Sequence, residues 1–198
     1  MNSIIKIATV MLGLLIATPV YSNVSEQVEM AVTGVKSFRL VLKDETGNVQ
    51  IRLKDTAGQT LYSEQVASPV AYNRVFNLSS LPSGEYSLEL EFVNRVQMTP
   101  LVIEENQVTL QTAEMTEYFK PVVRLKGKTV SINLLNTSRD PVNILVYHSE
   151  TNELLTQSRI TNETTVGKLY DFSKVKPGKF LISMNGRNIN YSKSIIIE

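Results

Sequence analysis

The sequence predicts an all-β chain of two tandem β-sandwich domains, and three observations carry that prediction. The first is an internal repeat: FNLSSLPSGEY, residues 76–86, returns 94 positions later as YDFSKVKPGKF, residues 170–180. The second is an apolar–polar alternation with the period of half-buried strands. The third is the regular recurrence of turn clusters between these runs, with no helical period anywhere between them.

The elements follow in chain order. Lys6 begins a short positive region, IATVMLGLLI (7–16) is an uninterrupted apolar run, and Val20 and Ser22 stand at −3 and −1 of a cut before Asn23. This is the pattern of an export signal, residues 1–22, and its apolar run is too short for a bilayer core of roughly 30 Å. Phe38, Leu40 and Leu42 alternate ahead of the turn cluster KDETGN (43–48). Val49, Ile51 and Leu53 alternate with Gln50, Arg52 and Lys54, and AGQ (57–59) makes the next turn. After the corner clause, Tyr86, Leu88, Leu90 and Phe92 alternate with Ser87, Glu89 and Glu91. In the second half Val130, Ile132 and Leu134 precede NTSRD, VNILVYH (142–148) precedes TNE (151–153), and SKSIIIE closes the chain.

Aligning the halves extends the repeat. Leu81 falls on Val175, Gly84 on Gly178, Tyr86 on Phe180, Leu88 on Ile182, Leu90 on Met184 and Ile103 on Ile197; VQIRLKDTAGQTL (49–61) falls on VNILVYHSETNELL (142–155) with one residue inserted. Two β-sandwich domains are therefore expected, at 23–104 and 105–198. At each corner the chain crosses between sheets. Leu81 and Val175 are expected to plug the core there, and Gly84 and Gly178 to permit the turn. Tyr86 is expected to hydrogen-bond the backbone upstream, which Phe180 lacks a hydroxyl to do. Pro177 beside Gly178 predicts a type II turn.

With those residues in view, both halves resemble immunoglobulin-like or fibronectin III-like modules. Residues 130–198, with VNILVYH, ETNEL, YDFSKVKPGKFLISM and SKSIIIE, also resemble the C-terminal sorting domain of the type IX secretion system of Bacteroidetes. Residues 49–104 carry that family's clause more fully, in Leu78, Ser79, Leu81, Gly84 and Tyr86. The resemblance implies export through an outer-membrane translocon, with the last unit as the signal that is read and then cleaved.

Composition narrows the function classes. With no cysteine there is no disulfide or lipid anchor, and the core must stabilise the fold alone. Without Lys6 the chain carries 19 basic and 19 acidic side chains, so no basic excess points to nucleic acid. Residues 23–104 hold 7 basic and 10 acidic side chains and residues 105–198 hold 12 and 9, a small opposite imbalance. His148 is the single histidine, which excludes a multi-histidine metal site, and it is expected to be a solvated turn residue. Glu89 and Glu91 lie about 7 Å apart on one strand face, the separation of an inverting glycosidase pair, but with no aromatic platform nearby in sequence they are expected to be a solvated face. Asp44, Glu45 and Asn48 offer oxygens in a loop that a hairpin turn explains equally well. Asp55-Thr56-Ala57 matches a short O-glycosylation acceptor pattern. The sequence predicts neither catalysis nor a cofactor or metal.

Two surfaces are candidates for partners. Lys120, Arg124, Lys126 and Lys128 share a face if extended, either as a stripe for an anionic glycan or lipid headgroup or as an edge strand whose lysines deter pairing. In VNILVYH, Leu145 and Tyr147 oppose Ile144 and Val146, so both strand faces are apolar. The connector 105–118, through Val108, Leu110 and Met115, is expected to cover them; an envelope protein or the translocon is the alternative occupant. The sequence thus reads as an exported non-catalytic protein with a binding or structural role at the cell envelope, located in the periplasm, on the surface or outside the cell. The alternatives are a type IX cargo whose last domain is the translocation signal, and a periplasmic chaperone of immunoglobulin-like format.

Overall fold

The computed structural model describes residues 28–43, 48–67 and 72–198; the leader at 1–22 and the Asp44 and Glu45 loop lie outside them. Alternating apolar residues set the strands. β1 (Val28–Gly34) and β2 (Ser37–Leu42) form a hairpin, β3 (Val49–Asp55) and β4 (Thr60–Val66) another, and β5 (Tyr72–Asn77) returns to the free side of β2. β6 (Gly84–Glu91) crosses to pair with β3, and β7 (Arg95–Ile103) pairs with β6. A three-stranded sheet, β1-β2-β5, thus packs on a sheet running β4-β3-β6-β7. Phe38 and Leu40 of one, with Ile51, Leu88, Leu90 and Leu101 of the other, form the dry centre. Phe38 stacks on Phe76 at 5.1 Å.

The connector does not do what its sequence predicts. β8 (Val108–Leu110) and β9 (Thr116–Phe119) both pair with β7, β8 along Leu101–Ile103 and β9 along Arg95–Met98. They amount to one edge strand interrupted by a 3₁₀ turn at Thr112–Glu114. Val108 is buried in the first core, with Leu110 packed against it. The first sheet therefore runs to Phe119, past the boundary expected at 104, and the connector leaves Leu145 and Tyr147 uncovered. The reason is proximity. A tight reversal, closed by Glu104 N–H donating to Gln107 C=O at 2.9 Å, brings Val108 onto the adjacent β7 edge. Closing a short loop is entropically cheaper than reaching the other sandwich.

The second unit repeats the plan. β10 (Val122–Lys126), β11 (Thr129–Leu135) and β14 (Thr165–Asp171) make the three-stranded sheet. β12 (Val142–His148), β13 (Leu154–Ile160), β15 (Gly178–Asn185) and β16 (Asn190–Ile197) make the other, in the order β13-β12-β15-β16. Matching hydrogen bonds close both corners: Leu78 N–H to Lys36 C=O and Phe172 N–H to Lys128 C=O, each 2.8 Å, then Leu81 N–H to Leu78 C=O and Val175 N–H to Phe172 C=O, each 3.0 Å. The β3–β4 and β12–β13 turns each use a left-handed residue, Gly58 (φ 80°) and Asn152 (φ 55°). Ile132, Ile144, Phe180, Ile182 and Met184 fill the second core.

Candidate functional site

The two corners differ as their side chains require. Tyr86, buried, donates from its hydroxyl to Pro82 C=O at 2.9 Å. Phe180, fully buried, instead packs edge-on against His148 (5.2 Å) and against Phe172 (5.1 Å). Neither corner glycine has positive φ, so the type II turn expected at Pro177-Gly178 does not form, and Gly84 is not required by its backbone angle. Gly178 has another reason: a Cβ there would lie 3.2 Å from His148 Nε2. His148 is accordingly half-buried with Nδ1 inaccessible, not the solvated turn residue its sequence position suggests, because the β15 backbone and Phe180 close over it.

The basic stripe divides. Arg124 and Lys126 are exposed on β10, an outer strand of its sheet, and Lys128 is exposed at the following turn. Lys120 lies between β9 and β10, half-buried, and turns back to the first unit. Its ammonium donates to Glu91 Oε1 and to Phe92 C=O, each at 2.7 Å. Leu145 and Tyr147 are half-buried on the outer face of β12. Tyr147 sits in a cross-strand row with Leu154 and Leu181, and Leu145 lies opposite Gln157 and Ser183. Among the described residues no strand covers this face.

The densest polar constellation lies on the outer face of β3 and β6, where the sequence predicts solvated carboxylates. Register sets Arg52 opposite Glu89. Arg52 Nη1 bonds Glu89 Oε1 at 2.5 Å and Nη2 bonds Glu91 Oε2 at 2.7 Å, while Lys54 Nζ reaches Glu89 Oε2 at 2.6 Å. The Glu89 side chain is only 7% exposed, against 28% for Arg52. The hydrogen bond from Lys120, with that from Arg52, holds the Glu91 carboxyl below its usual range despite partial burial. Burial raises the Tyr118 phenol, and the negative charges of Glu89 and Glu91 add to it. Arg95 Nε pairs with Glu117 at 2.9 Å, and the Arg95 guanidinium lies over the Phe92 ring at 4.2 Å. Glu89 and Glu91 are paired with three cations on two segments, Arg52 and Lys54 of β3 and Lys120 beyond β9. Complementary charge on the polar faces of neighbouring strands, Arg52 and Lys54 against Glu89 and Glu91, is the signal that the strand-by-strand reading passes over.

This network opens into a cleft of about 480 Å³ between the two units. Arg52, Glu91, Tyr118 and Lys120 line one side, and the β15–β16 turn with Ile189 and Tyr191 lines the other. Glycine 186 belongs to that turn, its N–H donating to Ile189 C=O at 2.8 Å.

Residues 19–104 match the family model described as the secretion system C-terminal sorting domain. The match falls on the first unit, whose corner carries the fuller clause, and a further 94 residues follow it. No curated protein matches the chain. Among solved structures the chain is similar to the BSP domain of a biofilm-associated protein at 12% identity and TM-score 0.27, over 86% of this chain and 29% of that one. It is similar to the human OSCAR ligand-binding domain at 12% identity and TM-score 0.26, over 86% and 96%. The chicken CNTN1 FN1–FN3 domains align at 11% identity and TM-score 0.27, over 87% and 65%.

Proposed function

We propose that this chain is exported through the type IX system and serves at the cell surface as a non-catalytic binding or structural protein. The sorting-domain match over residues 19–104 is the observation that carries this reading. Because another sandwich follows the matched unit, that unit acts here as a folded part of the working protein and not as a terminal tag to be discarded. The charge-neutralised Glu89 and Glu91 support a binding role over hydrolysis.

The test is cell fractionation in the wild type and in a translocon-deficient strain, with the mass of the mature chain measured in each. The expected result is surface or medium localisation in the wild type, periplasmic accumulation in the mutant, and a mature form that retains both sandwiches. An intact chain confined to the periplasm of both strains would refute the export route and favour a resident chaperone-like role. Loss of the second unit from the surface form would instead make that unit the cleaved signal.

A further inference from the structure

The cleft between the units is more than a seam. Its volume of about 480 Å³ lies within the ordinary range of small-ligand sites, roughly 300–1,000 Å³, and such sites favour junctions between domains. Its floor is held in place before any ligand arrives, since Arg52 is tied to Glu89 and Glu91, and Lys120 to Glu91 and Phe92 C=O.

The chemistry of the lining selects a ligand class. The four ionised groups that line the cleft, Arg52, Lys120, Glu89 and Glu91, cancel, and both carboxylates are already seated on cations, Glu89 also on Lys54 behind it, so the lining presents no unpaired charge to an anion or a cation. A phosphate would have to compete with carboxylates already seated on both cations. The network still has unused capacity in both directions. A carboxylate carries about four lone-pair sites and a guanidinium five N–H donors. Glu91 commits one oxygen to Arg52 and the other to Lys120. Fixed donors and acceptors side by side match vicinal hydroxyls, each of which both gives and takes a hydrogen bond. The walls supply the second half of the match. Tyr118 and Phe119 on one side, with Ile189 and Tyr191 on the other, present apolar and aromatic surface to the C–H faces of a sugar ring. Asn190, exposed at the mouth, adds an amide that can read one further hydroxyl.

We propose that this cleft binds a neutral saccharide, one or two pyranose rings long, gripped between Tyr118 and Tyr191 over the Arg52–Glu91 pair. This gives the binding role proposed above a ligand class. It is tested on purified protein, so its failure leaves the localisation experiment standing.

The mature chain is titrated by calorimetry with a panel of neutral disaccharides, cellobiose, maltose, lactose and diacetylchitobiose, and separately with glucuronic and sialic acids as charged comparators. At least one should bind saturably with a Kd on the order of 0.1–1 mM. Salt raised from about 0.05 to 0.5 M should leave the affinity unchanged, since no net charge is recognised. Tyr118→Ala and Tyr191→Ala should each weaken binding at least about tenfold, a loss of ~1.4 kcal/mol. Should either variant fail to fold, Asn190→Ala, at an exposed position, should still lower the affinity severalfold. The proposal is overturned if no member of the panel saturates up to about 20 mM, an affinity too weak for a built site. It is equally overturned if binding is confined to uronic or sialic acids and collapses with salt, or if it survives both Tyr191→Ala and Asn190→Ala.

Discussion

Tyr86→Phe removes one atom from the first corner. The hydroxyl donates to Pro82 C=O at 2.9 Å from a ring that is 9% exposed, while Pro82 itself is exposed. A hydrogen bond in a folded protein is worth about 0.5–1.5 kcal/mol net. The carbonyl left behind can take water, so the cost should sit near the middle of that range, about 1 kcal/mol. That lowers the melting midpoint by about 4–8 °C if the first sandwich melts alone, and by about 2–4 °C if both melt as one unit. Differential scanning calorimetry of the full chain reads the shift. The reciprocal change, Phe180→Tyr, should give no gain: the ring is fully buried and its far edge lies against Gly178, so a hydroxyl would have to be accommodated in packed space. A Tyr86→Phe midpoint within about 1 °C of wild type would show that packing alone, as in the second unit, closes the first corner, and the hydrogen-bond argument would be wrong.

Glu89→Leu should cost about 2 kcal/mol in urea denaturation, less than the 3–5 typical of a broken buried pair because Arg52 and Lys54 can reach water. Adding Arg52→Met and Lys54→Leu should restore most of that loss. The Glu91 carboxyl has a pKa lowered from 4.5 in the folded protein, so its stabilising contribution is complete above that pH and is lost as pH falls through the folded value. The stability gap between wild type and Glu91→Gln should accordingly be constant from pH 7 to about 5 and shrink below about 4.5. Gly178→Ala should destabilise the second unit by on the order of 1 kcal/mol through the 3.2 Å approach to His148 Nε2. That cost should largely vanish in a His148→Ala background; an additive double mutant would mean that His148 is not the obstacle.

The sandwich architecture was legible because alternation is local: Val49, Ile51 and Leu53, or Val142, Ile144 and Val146, each declare their buried face without knowing their neighbours. The repeat was legible for the same reason. What the sequence did not yield was what meets the polar faces. Arg52, Lys54, Glu89 and Glu91 look solvated strand by strand, yet they pair across the register, and Lys120, 29 positions past Glu91, joins them at the edge of the cleft. Leu145 and Tyr147 failed in the opposite sense. Apolar side chains on both strand faces predicted cover, but the connector that could supply it finds β7 first. His148 shows the same limit in one residue, its burial decided by Gly178 and Phe180 across a strand pair. Pairwise register, rather than pattern, governs these positions.

The continuation of the first sheet into β8 and β9 has a mechanical consequence. Only Lys120 and Pro121 separate β9 from β10, so tension between the sandwiches meets first the bonds of Lys120 to Glu91, Phe92 and Asn94 and then the Phe119 end of β9. There the strand lies on an edge, and its ladder to Arg95–Met98 can peel one hydrogen bond at a time while β4-β3-β6-β7 stays intact. Release of residues 112–119 yields at most about 25–30 Å of chain, at roughly 3.3–3.6 Å per residue, before Val108 and Leu110 are drawn from the first core. A protein anchored through one sandwich and loaded through the other would lengthen by that contour less the span the segment already covers, and would re-zip when the load is removed.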